Sequence, residues 1–132
     1  MDNCIQTSQK KVGLYIRSAG ETSSSLQEKV LFGQLSSAEH PLYLSSTRIF
    51  SDIARSGLDR QRSGLRKILY AAQNKEIDVV FVMDLSRLSR SLEGLSEIFS
   101  VLKNSECELW EMRRKIELED FTAGKLGSMG DV

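Results

Sequence analysis

The segment "IDVVFVM", residues 77–83, constrains the fold more than any other part of this 132-residue chain. Apart from Asp78 it is apolar, and three of its residues are valine. Such stiff, β-branched side chains suit a pleated surface, and a run without polar alternation suits a strand covered on both faces. Coverage of both faces requires helices above and below a parallel sheet, so the strands should be joined through helices. The flanking sequence has that pattern. "KVGLYI" (11–16) and "STRIFSD" (46–52) read as strands before it, and "CELWEM" (107–112) reads as a strand after it. Leu26, Val30, Leu31 and Leu35 fall at helical spacing from Ser25 onward, after a loop "AGETSSS". Leu65, Ile68, Leu69 and Ala72 repeat at i, i+3, i+4 and i+7 in a helix running to about Asn74, and Leu92, Leu95, Ile98, Phe99 and Leu102 form a third stripe. The expectation is an α/β fold in one domain, with a mostly parallel central sheet of about four to five strands flanked by helices and a polar leader over residues 1–10.

Composition narrows the function classes. The chain is 40% apolar and 27% charged, within the range of a globular domain and outside that of a disordered one. Its formal net charge is zero, so no global field draws in a polyanion, although a local arginine cluster can bind phosphate on a neutral domain. Cys4 and Cys107 lack the paired spacing of a zinc or redox motif and are expected to be two reduced thiols. No window approaches a membrane span and the first residues lack a signal-peptide core, so an intracellular protein without membrane contact is expected. His40, beside Pro41, is expected in solvent, neither ligand nor base.

In open parallel sheets functional groups gather beyond the carboxyl ends of the strands. There the sequence places Arg17, Asp52 with the loop "IARSGLDRQRSG", and "DLSRLSRS". A helix starting near Ser86 would project Arg87 and Arg90 from one side of its first turn. Cations there oppose the helix dipole, and a bound anion relieves that conflict. Arg62 and Arg17 would bring two more guanidinium groups to the same rim. Four arginines without clustered acids or histidines point to phosphoryl transfer by electrostatic stabilisation. Asp52, Asp78 and Asp84 are weaker candidates as magnesium ligands, being scattered as caps and salt-bridge partners are; no metal or other cofactor is expected. A Rossmann-like domain for a phosphate-bearing ligand is a competing reading, weakened by the lack of a glycine-rich phosphate loop.

Taken in order, Tyr15-x-Arg17, Ser24 to Gln27, "IFSD" with Asp52, "SGLDRQRSGL", "IDVVFVMDLSRLSR" and "EDFTAGK" resemble the catalytic domain of the serine recombinases, the resolvase and invertase group that includes large phage integrases. The similarity runs from about residue 11 to 125. It implies site-specific DNA recombination: a serine hydroxyl attacks a phosphodiester, forms a 5′-phosphoserine link and frees a 3′ hydroxyl, and the reverse reaction reseals the DNA without ATP or metal. By the same resemblance Arg17 is the arginine two residues before the nucleophile, and Arg87 and Arg90 cradle the scissile phosphate. Arg62 matches the arginine before the "GL" helix, Gln27, Asp52 and Asp78 match further polar residues of the site, and Tyr15 accompanies them. Ser86 stands where many small resolvases carry aspartate, which places "DLSRLSR" nearer the large-recombinase branch. The implied partners are DNA and further copies of the chain, as dimers that pair into tetramers, in a cytoplasmic, nucleoid-associated setting in a bacterium, archaeon, phage or mobile element.

Two departures qualify what the resemblance implies. The nucleophile of the R-x-S motif falls at Ala19, whose methyl group cannot attack phosphorus. Ser18 is a poor substitute because one step along an extended segment turns a side chain to the other side. The chain is therefore expected to be unable to cleave DNA, as an engineered Ser-to-Ala variant or as a naturally inactive homologue acting as a regulatory DNA-binding protein. The family also continues into a long dimerisation helix and a DNA-binding domain, whereas this sequence stops at Val132. An isolated catalytic domain followed by a short tail (126–132) is expected, binding DNA weakly, with a monomer and a dimer both open.

Overall fold

The computed structural model describes residues 10–43, 45–53 and 62–118. The leader with Cys4, most of the loop after the second strand, the "EDFTAGK" stretch and the tail lie outside the described residues. Strands β1 (Lys11–Ser18), β2 (Ser46–Ile53), β3 (Val79–Val82), β4 (Glu108–Glu111) and β5 (Arg114–Lys115) form one sheet in the order β2-β1-β3-β4-β5. β1 to β4 pair in parallel, and β5 returns antiparallel to β4. Helices α1 (Glu21–Leu35), α2 (Ser63–Gln73) and α3 (Leu92–Asn104) connect the parallel strands.

Alternation along β1 divides the core in two. Val12, Leu14 and Ile16 pack with Leu31 and Leu35 of α1 on one face, together with Val79, Phe81 and Trp110. Tyr15 packs on the opposite face with Val80, Val82 and Leu109, under Leu65, Ile68 and Ala72 of α2 and Leu95, Ile98, Phe99 and Leu102 of α3. All four residues of β3 are buried, as a valine-rich run covered on both sides requires. Each such aliphatic or aromatic side chain contributes about 1.5–3 kcal/mol on burial.

Several expectations need correction. α1 begins at Glu21 with Gly20 as N-cap, so "ETSSS" is its first turn, not a loop. Leu26 and Val30 face solvent, and Gln27 takes the inward place beside Leu31. The reason is spacing: positions 27, 31 and 35 are four residues apart and share one face. His40 is buried, only 2% exposed. The Leu42 N–H donates to its Nδ1 (3.0 Å), so Nε2 carries the proton and donates to the Met112 carbonyl (2.8 Å). Its ring lies edge-on to Phe81. β5 was not expected; it follows from a two-residue turn in which Met112 adopts φ 55.

Cys107 is buried, and burial pushes its thiol up to about 12, with Asp78 and Glu108 adding to the rise and Lys75 opposing it. A thiol held in that state is a poor nucleophile. None of the described helices is long and apolar enough to cross a membrane.

Gly64, in the first turn of α2, sits where a Cβ would lie 2.3 Å from the Ser51 carbonyl oxygen. Backbone cannot yield at that distance, so Gly64→Ala must push α2 away from β2. The expected loss is about 1–3 kcal/mol, the usual cost of overpacking, read as a lower denaturation midpoint with an unchanged slope.

Candidate phosphate site at the carboxyl ends of the strands

Strand order reverses at β1, with β2 on one side and β3 on the other. The chain leaves β1 toward α1 on one face and leaves β3 toward α3 on the other, which opens a crevice at the carboxyl ends of these two strands. A cavity of about 400 Å³ lies there, lined by Arg17, Ser18, Ala19, Ser23, Ser86, Arg87 and Arg90. Residues far apart in sequence meet because β1 and β3 are adjacent and parallel.

The turn after β3 is built differently from expectation. Asp84 accepts from the Ser86 N–H (3.1 Å) and from the Ser86 hydroxyl, closing a short 3-10 turn over Leu85–Arg87. Ser91 accepts from the Gly94 N–H (2.9 Å) and starts α3 afresh. Two separate caps divide what was expected to be one helix, so Arg90 lies in the link between them and not in a first helical turn. The helix whose amino end adjoins the cavity is α1, which has no side-chain cap.

Arg17 and Arg87 are fixed by β1. The Arg17 carbonyl accepts from Gln27 Nε2 (2.9 Å) and from Arg87 Nη1 (3.3 Å). Arg87 Nε lies 3.5 Å from Asp84 Oδ2. The buried Nη1 of Arg17 has no hydrogen-bond partner among the described residues. A buried cationic donor left in this state costs free energy that an anion would recover. Ser18 lines the cavity but is mostly buried, and its hydroxyl donates to the Gly20 carbonyl (2.8 Å). Ser23, which the sequence reading passed over, accepts from Gln27 Nε2 (3.4 Å). Its signal was the i, i+4 relation to Gln27, hidden while the helix was thought to start at Ser25.

Behind the cavity lies a buried network. The Tyr15 hydroxyl donates to Asp52 Oδ2 (2.6 Å) and accepts from Arg62 Nη2 (3.0 Å). Asp52 also accepts from the Gly64 N–H at Oδ1 (2.7 Å) and the Leu65 N–H at Oδ2 (3.0 Å), which caps α2 from a neighbouring strand. Arg62 does not line the arginine cavity; its Nη1 donates to the Leu88 carbonyl (2.6 Å) and its Nη2 to the Arg87 carbonyl.

Asp78 does not join the site. Register places it at the amino ends of the strands, where it accepts from the Lys11 N–H (2.9 Å) and its own N–H donates to the Lys11 carbonyl. The full length of β3 separates it from the arginines. Asp52, Asp78 and Asp84 thus serve three separate backbone ends and do not converge.

Burial pushes the Tyr15 hydroxyl up to about 12, with its hydrogen bond to Asp52 adding to the rise and Arg62 opposing it. Unfolded tyrosine ionises near 10, so between about pH 10 and 12 the folded chain holds a proton that the unfolded chain has lost. Stability is therefore expected to fall as pH rises through that window, and Tyr15→Phe should flatten this part of the curve. Cys107 contributes in the same direction from its lower unfolded value, so Cys107→Ala in both backgrounds isolates the tyrosine in pH-dependent chemical denaturation.

Comparison with known proteins points the same way. The family model described as the resolvase N-terminal domain matches residues 12–129. The chain is similar to the C-terminal catalytic domain of ISC1926 TnpA, an IS607-like serine recombinase, at 20% identity over 90% of this chain and 76% of that one, with a TM-score of 0.63. For the N-terminal catalytic domain of TP901-1 integrase the values are 23%, 92%, 90% and 0.64. For a resolvase family site-specific recombinase from Streptococcus pneumoniae they are 15%, 93%, 87% and 0.71. No curated protein sequence matches.

Proposed function

The chain belongs to the resolvase N-terminal domain family, the catalytic domain of serine recombinases, and from that premise we propose that its arginine cavity binds a DNA phosphodiester at the position for strand cleavage. The catalytic domain spans about residues 11–125. The observation that carries this reading is the buried Arg17 Nη1 without a partner among the described residues, in a cavity shared with Arg87, Arg90 and Ala19. Three guanidinium groups repel one another in a partly desolvated pocket, and a phosphate neutralises that repulsion while accepting bidentate hydrogen bonds. Charge that builds on the non-bridging oxygens during transfer would meet the same donors.

Transfer also needs a nucleophile, and the position two residues beyond Arg17 holds alanine. A serine there would present its hydroxyl to the phosphorus, form the Oγ–P bond, and release the 3′ oxygen with a proton. Ala19 offers no such oxygen, and the Ser18 hydroxyl is mostly buried and already donates to Gly20. The chain as it stands thus holds the phosphodiester without cutting it.

Ala19→Ser is expected to convert binding into covalent capture. Incubated with a randomised duplex library and denatured in SDS, the variant should retain DNA through a phosphoserine at position 19, and the unaltered chain should not. Adding Arg87→Ala should reduce capture about 10- to 100-fold, the range for losing a hydrogen bond to a charged group. Capture by the unaltered chain would refute the inactivity, and no capture by Ala19→Ser would refute the placement of the nucleophile.

A further inference from the structure

Arg62 belongs by resemblance with the arginines that hold phosphate, but its contacts are of another kind. Its Nη1 donates to the Leu88 carbonyl (2.6 Å), and its Nη2 reaches both the Arg87 carbonyl and the Tyr15 hydroxyl (3.0 Å). It lines a second cavity of about 320 Å³ between α2 and α3, among Leu65, Leu88 and Ile98, and not the one that holds Arg17 and Ala19. Its position is anchored from behind. Arg62 takes the left-handed φ of 51 at the N-cap of α2, and that helix is held against β2 by Asp52 and by the close approach of Gly64 to Ser51.

We propose that Arg62 is a positioning residue: it holds the Arg87–Leu88 backbone in the shape that aims Arg87 and Arg90 into the cavity, and does not itself bind phosphate. A guanidinium suits this task because its planar, rigid fork spans two consecutive carbonyls, whereas an ammonium is a single point of donation. The turn is thereby held at two places, by Arg62 on its carbonyls and by Arg87 Nη1 on the Arg17 carbonyl (3.3 Å). Tyr15 and Asp52 complete the support by fixing the far side of the Arg62 fork.

This inference rests on the phosphate-binding reading of the cavity, and salt dependence separates the two roles. Each phosphate contact contributes about 0.9 to the slope of log K against log salt on duplex DNA. With the full chain and a generic duplex, Arg90→Gln should lower the slope by about that amount. Arg62→Gln and Tyr15→Phe should weaken binding about tenfold, Arg62→Gln should lower neither affinity nor slope further in an Arg87→Ala, Arg90→Gln background, and Arg62→Lys should not restore affinity. A further slope loss of about 0.9 from Arg62→Gln in that background, or affinity restored by Arg62→Lys, overturns the proposal. If the unaltered chain shows no salt-dependent binding, the phosphate reading fails by itself. Amide exchange in the ligand-free chain then decides the positioning role: faster exchange over residues 86–90 in Arg62→Gln and Tyr15→Phe supports it, and unchanged exchange overturns it.

Discussion

The carboxylate of Asp52, 2% exposed at the carboxyl end of β2, is the point on which the rim of the sheet depends. A buried carboxylate costs several kcal/mol unless its lone pairs are met. Here Oδ1 receives the Gly64 N–H, and Oδ2 receives the Leu65 N–H and the Tyr15 hydroxyl. These bonds tie the first turn of α2 to β2 and bind both to the central strand. They also explain two residue choices nearby. Gly64 has no side chain because the backbone of Ser51 occupies that space, and Tyr15 brings a hydroxyl into a core cluster that is otherwise apolar.

From Tyr15 the chain of contacts passes to Arg62, and from Arg62 to the turn that carries Arg87 and Arg90. The cavity therefore has a supported wall on the α2 side. On the α1 side Gln27 does similar work, since its amide donates to the Arg17 carbonyl and to Ser23. Between the two supports the guanidinium groups face a space that suits an anion. Ligand-free, such an arrangement is destabilising, because like charges are brought together and a buried Arg17 donor has no partner among the described residues. Sites that bind charge commonly retain strain of this kind, which the ligand relieves.

Much of the fold was legible in the sequence because apolar periodicity is a local property. The valine run at residues 79–82 became the buried strand beside β1, and the stripes at 65–72 and 92–102 became α2 and α3. What was misread depended on contacts outside the local window. α1 starts earlier than its apolar spacing predicts because "ETSSS" is polar, and a polar first turn is indistinguishable from a loop without the buried face that Gln27 and Leu31 share. The sequence points His40 to solvent because a histidine beside proline in a polar segment has no periodic signal. It is buried because Met112, seventy-two residues later, supplies an acceptor for its Nε2 proton. The break between Arg87 and Arg90 was missed because Asp84 and Ser91 each cap a separate turn, and either cap alone would have fitted one continuous helix.

For the site, the amino-acid sequence determined the inventory: arginines at 17, 62, 87 and 90, and an alanine two residues after Arg17. No fold can give Ala19 a hydroxyl. Tertiary structure decided the use of each member. Asp78 and Asp52 look alike as isolated aspartates near strands, yet the register of β1 with β3 puts one at the amino ends of the sheet, and the pairing of β2 puts the other at the carboxyl rim. Arg62 and Arg87 look alike as arginines in polar loops, yet one fork meets two carbonyls and the other lines the cavity. The physical reason is that covalent order sets which functional groups exist and their spacing along the chain. Which atoms come within hydrogen-bonding reach depends on strand direction, register and close packing between segments remote in sequence.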